Sequence, residues 1–179
     1  MLIFGNPELP KHMLNHLPAI EGRTGLSQPI AEINIEDDNH QEIDRCLIVD
    51  DEPFNIDALK ITLQCATAER ENFNFKNRVD SASNGLKAVE MVKKKYKEGF
   101  NYKLILMDCN MPKMDGYQAT QRIRDFITEL GVEQPLIVAI SGHVEEQYIK
   151  RALDAGMNTV IAKPAKLDDI KNAISNLTI

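Results

Sequence analysis

The chain has 179 residues, 43% of them hydrophobic, enough to fill one domain with some chain left over and too few for two full cores. Its formal charge of −6 belongs to the first quarter: residues 1–44 carry eight acidic and two basic groups, and residues 45–179 carry nineteen of each. A charge-balanced domain without a basic stripe lacks the electrostatic footprint of direct DNA or RNA binding, and no run of about 18 apolar residues exists to span a membrane.

Residues 1–43 hold scattered prolines and the acidic patch Glu36-Asp37-Asp38, with no sustained period of 2 or 3.6, and read as a largely irregular acidic linker or extension. His12 and His16 have the spacing of two ligands on one helical face, but no third ligand accompanies them, so a surface pair is the better reading. Cys46, Cys65 and Cys109 are odd in number and lack C-x-x-C spacing; they read as reduced thiols filling the core of a cytoplasmic protein.

From residue 44 to 179 short apolar runs alternate with amphipathic segments. Cys46 to Val49 predicts a buried strand, followed by a helix with Ile56, Leu59, Leu63 and Ala66 on one face. Val79 to Ala82 is a second, more polar strand, and the next helix turns Leu86, Val89, Val92 and Tyr96 inward while its lysines form a solvated face. Leu104 to Met107 is the third strand and Tyr117 to Leu130 the third helix; Leu136 to Ile140 and Val144 to Ala155 make the fourth pair. Thr159 to Ala162 is the fifth strand, and Leu167, Ile170, Ile174 and Leu177 mark the buried stripe of the last helix. Strict alternation with strands apolar along their whole length implies an α/β fold, a parallel sheet covered on both faces by helices in a three-layer sandwich.

In such sheets ligands sit at the carboxyl ends of the strands. Those positions hold Asp50, Asp51 and Glu52 after the first strand, Asp108 after the third, Ser141 after the fourth and Lys163 after the fifth. Carboxylates gathered in one place repel unless a cation compensates them, and hard oxygen ligands of this kind suit magnesium. Magnesium takes one or two carboxylates, several waters and a phosphate oxygen, so the set points to phosphoryl chemistry. Asp108, ending the central strand, is the best nucleophile. Lys163 would neutralise phosphoryl oxygens, Ser141 would donate a hydrogen bond to one of them, and Gly142 would leave room. Pro112 biases Met111 away from helix, Asp115 caps the third helix and Gly116 relieves crowding at its start. Taken singly, each of these residues reads as well as a turn or helix start; four strand ends supplying one chemistry together do not.

Four segments make the resemblance specific: Leu47-Ile48-Val49-Asp50-Asp51-Glu52-Pro53, Leu106 to Pro112 with Met114-Asp115-Gly116, Ala139-Ile140-Ser141-Gly142, and Ala162-Lys163-Pro164. Over residues 44–179 the chain resembles a response-regulator receiver domain of two-component signalling, most like the receivers of hybrid sensor histidine kinases. The resemblance implies a flavodoxin-like (βα)5 fold with strand order 2-1-3-4-5. It further implies that Asp108 accepts a phosphoryl group from a phosphohistidine on a histidine kinase or histidine phosphotransfer protein. Asp51 and Asp108 would then bind Mg2+ through side chains, Asp50 through water and Asn110 through its backbone carbonyl. Family members usually have a cis bond at the position matching Lys163-Pro164.

The same analogy makes the chain a signalling domain that catalyses only its own phosphorylation and slow dephosphorylation, in a phosphorelay without direct nucleic-acid contact or membrane insertion. Glu52, Asn110, Gly142 and His143 would modulate the site, though His143 reads equally well as the exposed start of the fourth helix. A face from the fourth to the fifth helix is a candidate dimer surface. One departure stands out: Val160 occupies the switch position where the family usually has Tyr or Phe, so the signal would travel through the fourth helix and its preceding loop. The segments 66–76 and 94–103 look longer than the family's usual connections. Two alternatives accompany this reading: a receiver-like interaction module not controlled by phosphorylation, suggested by Val160, and a haloacid-dehalogenase-type phosphohydrolase, disfavoured because Asp50-Asp51-Glu52 lacks Asp-x-Asp spacing and no large cap insertion is present. With no output domain after Ile179, the chain is expected to be a stand-alone shuttle or the carboxyl-terminal piece of a larger kinase.

Overall fold

The structure is a computed structural model and describes residues 45–68 and 78–175. The acidic extension, His12, His16, most of the 66–76 segment and Leu177 lie outside the described residues. Five strand-helix units follow in order: β1 (Arg45–Val49), α1 (Pro53–Thr67), β2 (Val79–Ala82), α2 (Gly85–Lys97), β3 (Tyr102–Asp108), α3 (Gly116–Leu130), β4 (Leu136–Ser141), α4 (Glu146–Asp154), β5 (Thr159–Ala162) and α5 (Leu167–Ile174). The five strands form one parallel sheet of order β2-β1-β3-β4-β5, as the receiver resemblance implies.

Side chains alternate across the sheet, and both faces are dry. Leu47, Val49, Ile105 and Met107 join a cluster with Val89, Val92, Ile123 and Ile127 from α2 and α3. Their neighbours Cys46, Ile48, Leu104 and Leu106 join a second cluster with Leu59 and Leu63 of α1 and Ile170 and Ile174 of α5. Burial on two sides is why these strands read as unbroken apolar runs rather than as alternating patterns. Each fully buried Leu or Ile contributes about 1.5–3 kcal/mol of transfer free energy, so the central strands are the least deformable part of the molecule.

Helix starts are chemically marked. Pro53 opens α1, Asn84 accepts the Lys87 amide at the start of α2, and Asp115 accepts the Gln118 amide at 2.8 Å at the start of α3. Helix α3 ends at Gly131, whose φ of 66° is left-handed. The N-caps of α4 and α5, Glu145 and Lys166, make no side-chain capping bond, and Ala152 is the single buried residue of α4. With so little of it buried, α4 is held to the core by few apolar contacts.

Three expectations fail on helix faces. Leu86 is 41% exposed because α2 begins at Gly85 and buries Gly85, Ala88, Val89 and Val92, a stripe that passes beside Leu86. Leu167, first residue of α5, is likewise exposed at 37% while Ile170 and Ile174 face the core. Cys65 is exposed on α1, off the stripe of Leu59, Leu63 and Ala66, so only Cys46 and Cys109 fill the core. Among the described residues no helix is long and apolar enough to cross a membrane.

Candidate functional site

Parallel register brings the strand ends level: Val49 pairs with Met107, Asp108 with Ile140, and Ser141 with Ala162. The residues that follow therefore open on one edge of the sheet. Asp50, fully buried, accepts the Glu52 amide (2.9 Å) and the Asn55 side-chain amide (3.0 Å) on Oδ1, and the Lys163 ammonium (2.7 Å) on Oδ2. A carboxylate so far from water is tolerated only because its charge and lone pairs are answered in this way.

Asp108, 4% exposed at the end of β3, lies 3.0 Å from Lys163 Nζ through Oδ1. Burial pushes its pKa above the usual carboxylate range; the Lys163 hydrogen bond and charge pull it down, and nearby Asp50 pushes it up again, with a net rise. For Lys163 burial works toward a lower pKa, but its bonds to Asp50 and Asp108 outweigh this and hold the ammonium above its ordinary value. The lysine thus stays charged between two acids. The Lys163–Pro164 bond is cis, and the Lys163 amide donates to Ser141 O at 2.7 Å.

Asp51 completes the acidic set from the half-buried turn after Asp50. One carboxylate oxygen each from Asp50, Asp51 and Asp108 lies within 4.8 Å of the others. An octahedral ion with bonds of about 2.1 Å spaces its ligand oxygens by roughly 3 to 4 Å, a spacing that this oxygen-only set could match. Glu52 and Asn110 are exposed at the rim; the Asn110 backbone amide donates to the Asp108 carboxylate. The loop after Asp108 is tightly constrained: Lys113 is left-handed at φ 71°, and Met114 N bonds Pro112 O at 2.9 Å. Gly116 N donates to Cys109 O, and a Cβ on Gly116 would collide with the Asp108 carbonyl oxygen.

On the other side of Asp108, the buried Ser141 hydroxyl donates to His143 O at 2.8 Å and accepts from His143 N at 3.0 Å. It is engaged with the loop backbone and would have to turn to meet a phosphoryl group. A Cβ at Gly142 would face open space, so the loop itself does not demand glycine. His143 is exposed, with its ring 4.9 Å from that of Tyr148 on α4. Half-buried Val160 packs against the α2–α3 cluster.

Two contacts were not read from sequence. Asn55 bonds to Asp50; a polar residue five positions after the acid, on the first turn of α1, was the available signal. Arg151 of α4 stacks 3.9 Å over the Tyr117 ring and reaches Asp115 Oδ2 at 3.2 Å, linking α4 to the start of α3; nothing in the spacing points to that pairing.

Comparison with known proteins agrees with the fold. The family model of the response regulator receiver domain matches residues 46–175. The osmosensing histidine protein kinase SLN1 of Saccharomyces cerevisiae is 31% identical over 78% of this chain and 10% of its own. The chain spans about a tenth of the length of the curated relatives it matches. Among solved structures, a CheX-CheY-BeF3-Mg complex from Borrelia burgdorferi aligns with a TM-score of 0.61 at 28% identity, covering 76% of this chain and 90% of that one. A co-crystal of the Saccharomyces cerevisiae histidine phosphotransfer protein Ypd1 with the receiver domain of Ssk1 aligns with a TM-score of 0.59 at 29% identity, covering 74% and 86%.

Proposed function

The chain belongs to the response regulator receiver family, with curated relatives among hybrid histidine kinases, and on that footing we propose that residues 44–179 are the phosphoacceptor domain of a phosphorelay. Asp108 is the acceptor. A phosphohistidine on a kinase or histidine phosphotransfer protein is the donor, as fits the likeness to the Ssk1 receiver solved with Ypd1. The single observation that carries this reading is the Lys163 ammonium held between Asp50 and Asp108.

An Asp108 carboxylate oxygen attacks phosphorus; the new O–P bond forms as the P–N bond to the donor imidazole breaks, and the leaving nitrogen keeps the electron pair. Charge builds on the three equatorial oxygens, and a fixed ammonium aimed there costs no reorganisation during the step. Lys163 can take that role by exchanging its Asp108 contact for a phosphoryl oxygen while keeping its bond to Asp50. Asp51 and Asp108 side chains, Asp50 through water and the Asn110 carbonyl would hold Mg2+, which supplies neutralisation of the acidic set and alignment of a phosphoryl oxygen. Ser141 turns from His143 O to the remaining oxygen. Asn110 and His143 flank the path of an attacking water and modulate the slow return to the free acid.

The donor must reach Asp108 past α1. Phe54, 82% exposed, and Ile61, 63% exposed, share one face seven residues apart. Phe54 lines a groove with Asp50, Asn55, Ala58, Lys163 and Pro164. An apolar face leading to the groove that holds Asp50 and Lys163 suits a helical donor that delivers its histidine over Lys163. With Val160 at the switch position, the response runs through Ser141: once its hydroxyl leaves the loop backbone, His143 and the lightly anchored α4 shift. Val144, Leu153 and Leu167, exposed on and beside α4 and α5, then form the face whose partners or second copy change.

The deciding test is incubation with acetyl phosphate and magnesium. A gain of one phosphoryl group, absent in Asp108→Asn, supports the reading; no gain refutes it.

A further inference from the structure

Resting on the magnesium reading above, we propose that Asn55 is a positioning residue that fixes the Asp50 carboxylate for the metal centre. Asp50 has two oxygens with different surroundings. Oδ1 is turned back toward α1, where the Glu52 amide and Asn55 Nδ2 converge on it at 2.9 and 3.0 Å; Oδ2 receives Lys163 at 2.7 Å. Without Asn55 the carboxylate keeps one backbone donor on Oδ1 and, on Oδ2, an ammonium that it shares with Asp108, a weaker restraint on a terminal torsion that is soft and broadly populated. The Asn55 donor is a second restraint on Oδ1 that does not depend on the shared lysine, and it keeps Oδ1 turned toward α1.

Asn55 is suited to the task by where it stands. Its backbone is tied into the first turn of α1 through Asn55 N to Glu52 O at 3.0 Å, so its amide group projects from a rigid element. The side chain donates to a charged acceptor in a buried place, where such bonds are stronger than neutral ones. An aspartate there would set two acids against each other, and an aliphatic residue would leave Oδ1 half satisfied. Magnesium demands near-ideal octahedral geometry, so an acid that wanders is a poorer partner than one held still. Groups that orient the acids around a metal in this manner change affinity by about 10- to 100-fold when removed.

Asn55 also stands beside Phe54, whose ring points outward where the donor would seat, and both line the groove that contains Lys163. One turn of helix therefore presents a partner-facing residue and a site-facing residue in succession. Phe54→Ala on the same turn is the control for general disturbance of α1.

The experiment is a calorimetric magnesium titration of the whole chain, wild type against Asn55→Leu, Asn55→Ala and Phe54→Ala, with circular dichroism of each in metal-free buffer. Leu keeps the volume and removes the donor; Ala covers the case in which Leu does not fold. The expected result is a magnesium Kd weakened by about 10-fold in the Asn55 variants and unchanged in Phe54→Ala. A folded Asn55 variant that binds magnesium as the wild type does overturns the proposal. Wild-type protein that binds no magnesium overturns the metal reading on which it rests, a distinct result.

Discussion

Asp50 and Lys163 stand 113 residues apart in the chain and meet at 2.7 Å, with Asp50 wholly out of water. The same ammonium reaches Asp108 at 3.0 Å. Replacing Lys163 by Met leaves both acids without their cation. A partly solvated pair of this kind is worth less than a fully buried one, so a loss of roughly 1–3 kcal/mol is expected. Urea denaturation in metal-free buffer measures it, and added magnesium should recover part of the loss.

Asp108→Asn should act in the opposite direction. The folded state raises the Asp108 pKa, so between the ordinary carboxylate value and the raised one the native protein binds more protons than the unfolded chain. Stability is then higher below that window and falls as pH rises through it. The variant should lose this slope and be more stable than the wild type at neutral pH. Metal-free melting across mildly acidic to neutral pH checks the sign; an unchanged slope counts against it.

Gly116→Ala should damage fold and site together. The added Cβ runs into the Asp108 carbonyl oxygen and lies 3.0 Å from Met107 Cγ, so the start of α3 must move away from β3. Overpacking of this kind costs about 1–3 kcal/mol or more. The melting temperature should drop and phosphorylation by acetyl phosphate should slow with it.

Phe54→Ala separates donor docking from chemistry. The ring lies outside the acid cluster, so labelling by acetyl phosphate should stay as in the wild type. Transfer from a phosphorylated histidine phosphotransfer protein should fall by about 10-fold, the scale of one exposed aromatic anchor. Equal loss with both donors would move Phe54 into the reaction site.

Ser141→Ala tests the route of the signal. Phosphorylation persists, but the change in amide exchange over 143–154 on binding beryllium fluoride should shrink. If that change is undiminished, the Ser141 bond to His143 O is not the link to α4.

Much of this was legible in the residues because the fold repeats one rule. Strands buried on two faces, such as Leu104 to Met107, carry an apolar run that no surface segment carries, and the alternation with helices implies a parallel sheet covered on both faces; the strand order came from the resemblance to receiver domains. The acids and Lys163 were legible for the same reason: parallel strands deliver their ends to one edge. What escaped depends on angle rather than order. Leu86 misses the core by one residue of rotation, and Cys65 sits off the stripe of α1. Asn55 reaches Asp50 and Arg151 covers Tyr117 through side-chain directions that spacing does not encode.

The most direct measurement is the intact mass of wild-type and Asp108→Asn protein after exposure to a phosphorylated histidine donor with and without magnesium. One added phosphoryl group on the wild type alone, dependent on magnesium and lost in the variant, is the expected result. Label that survives in Asp108→Asn, or wild-type protein that never takes up the group, would contradict Asp108 as the acceptor.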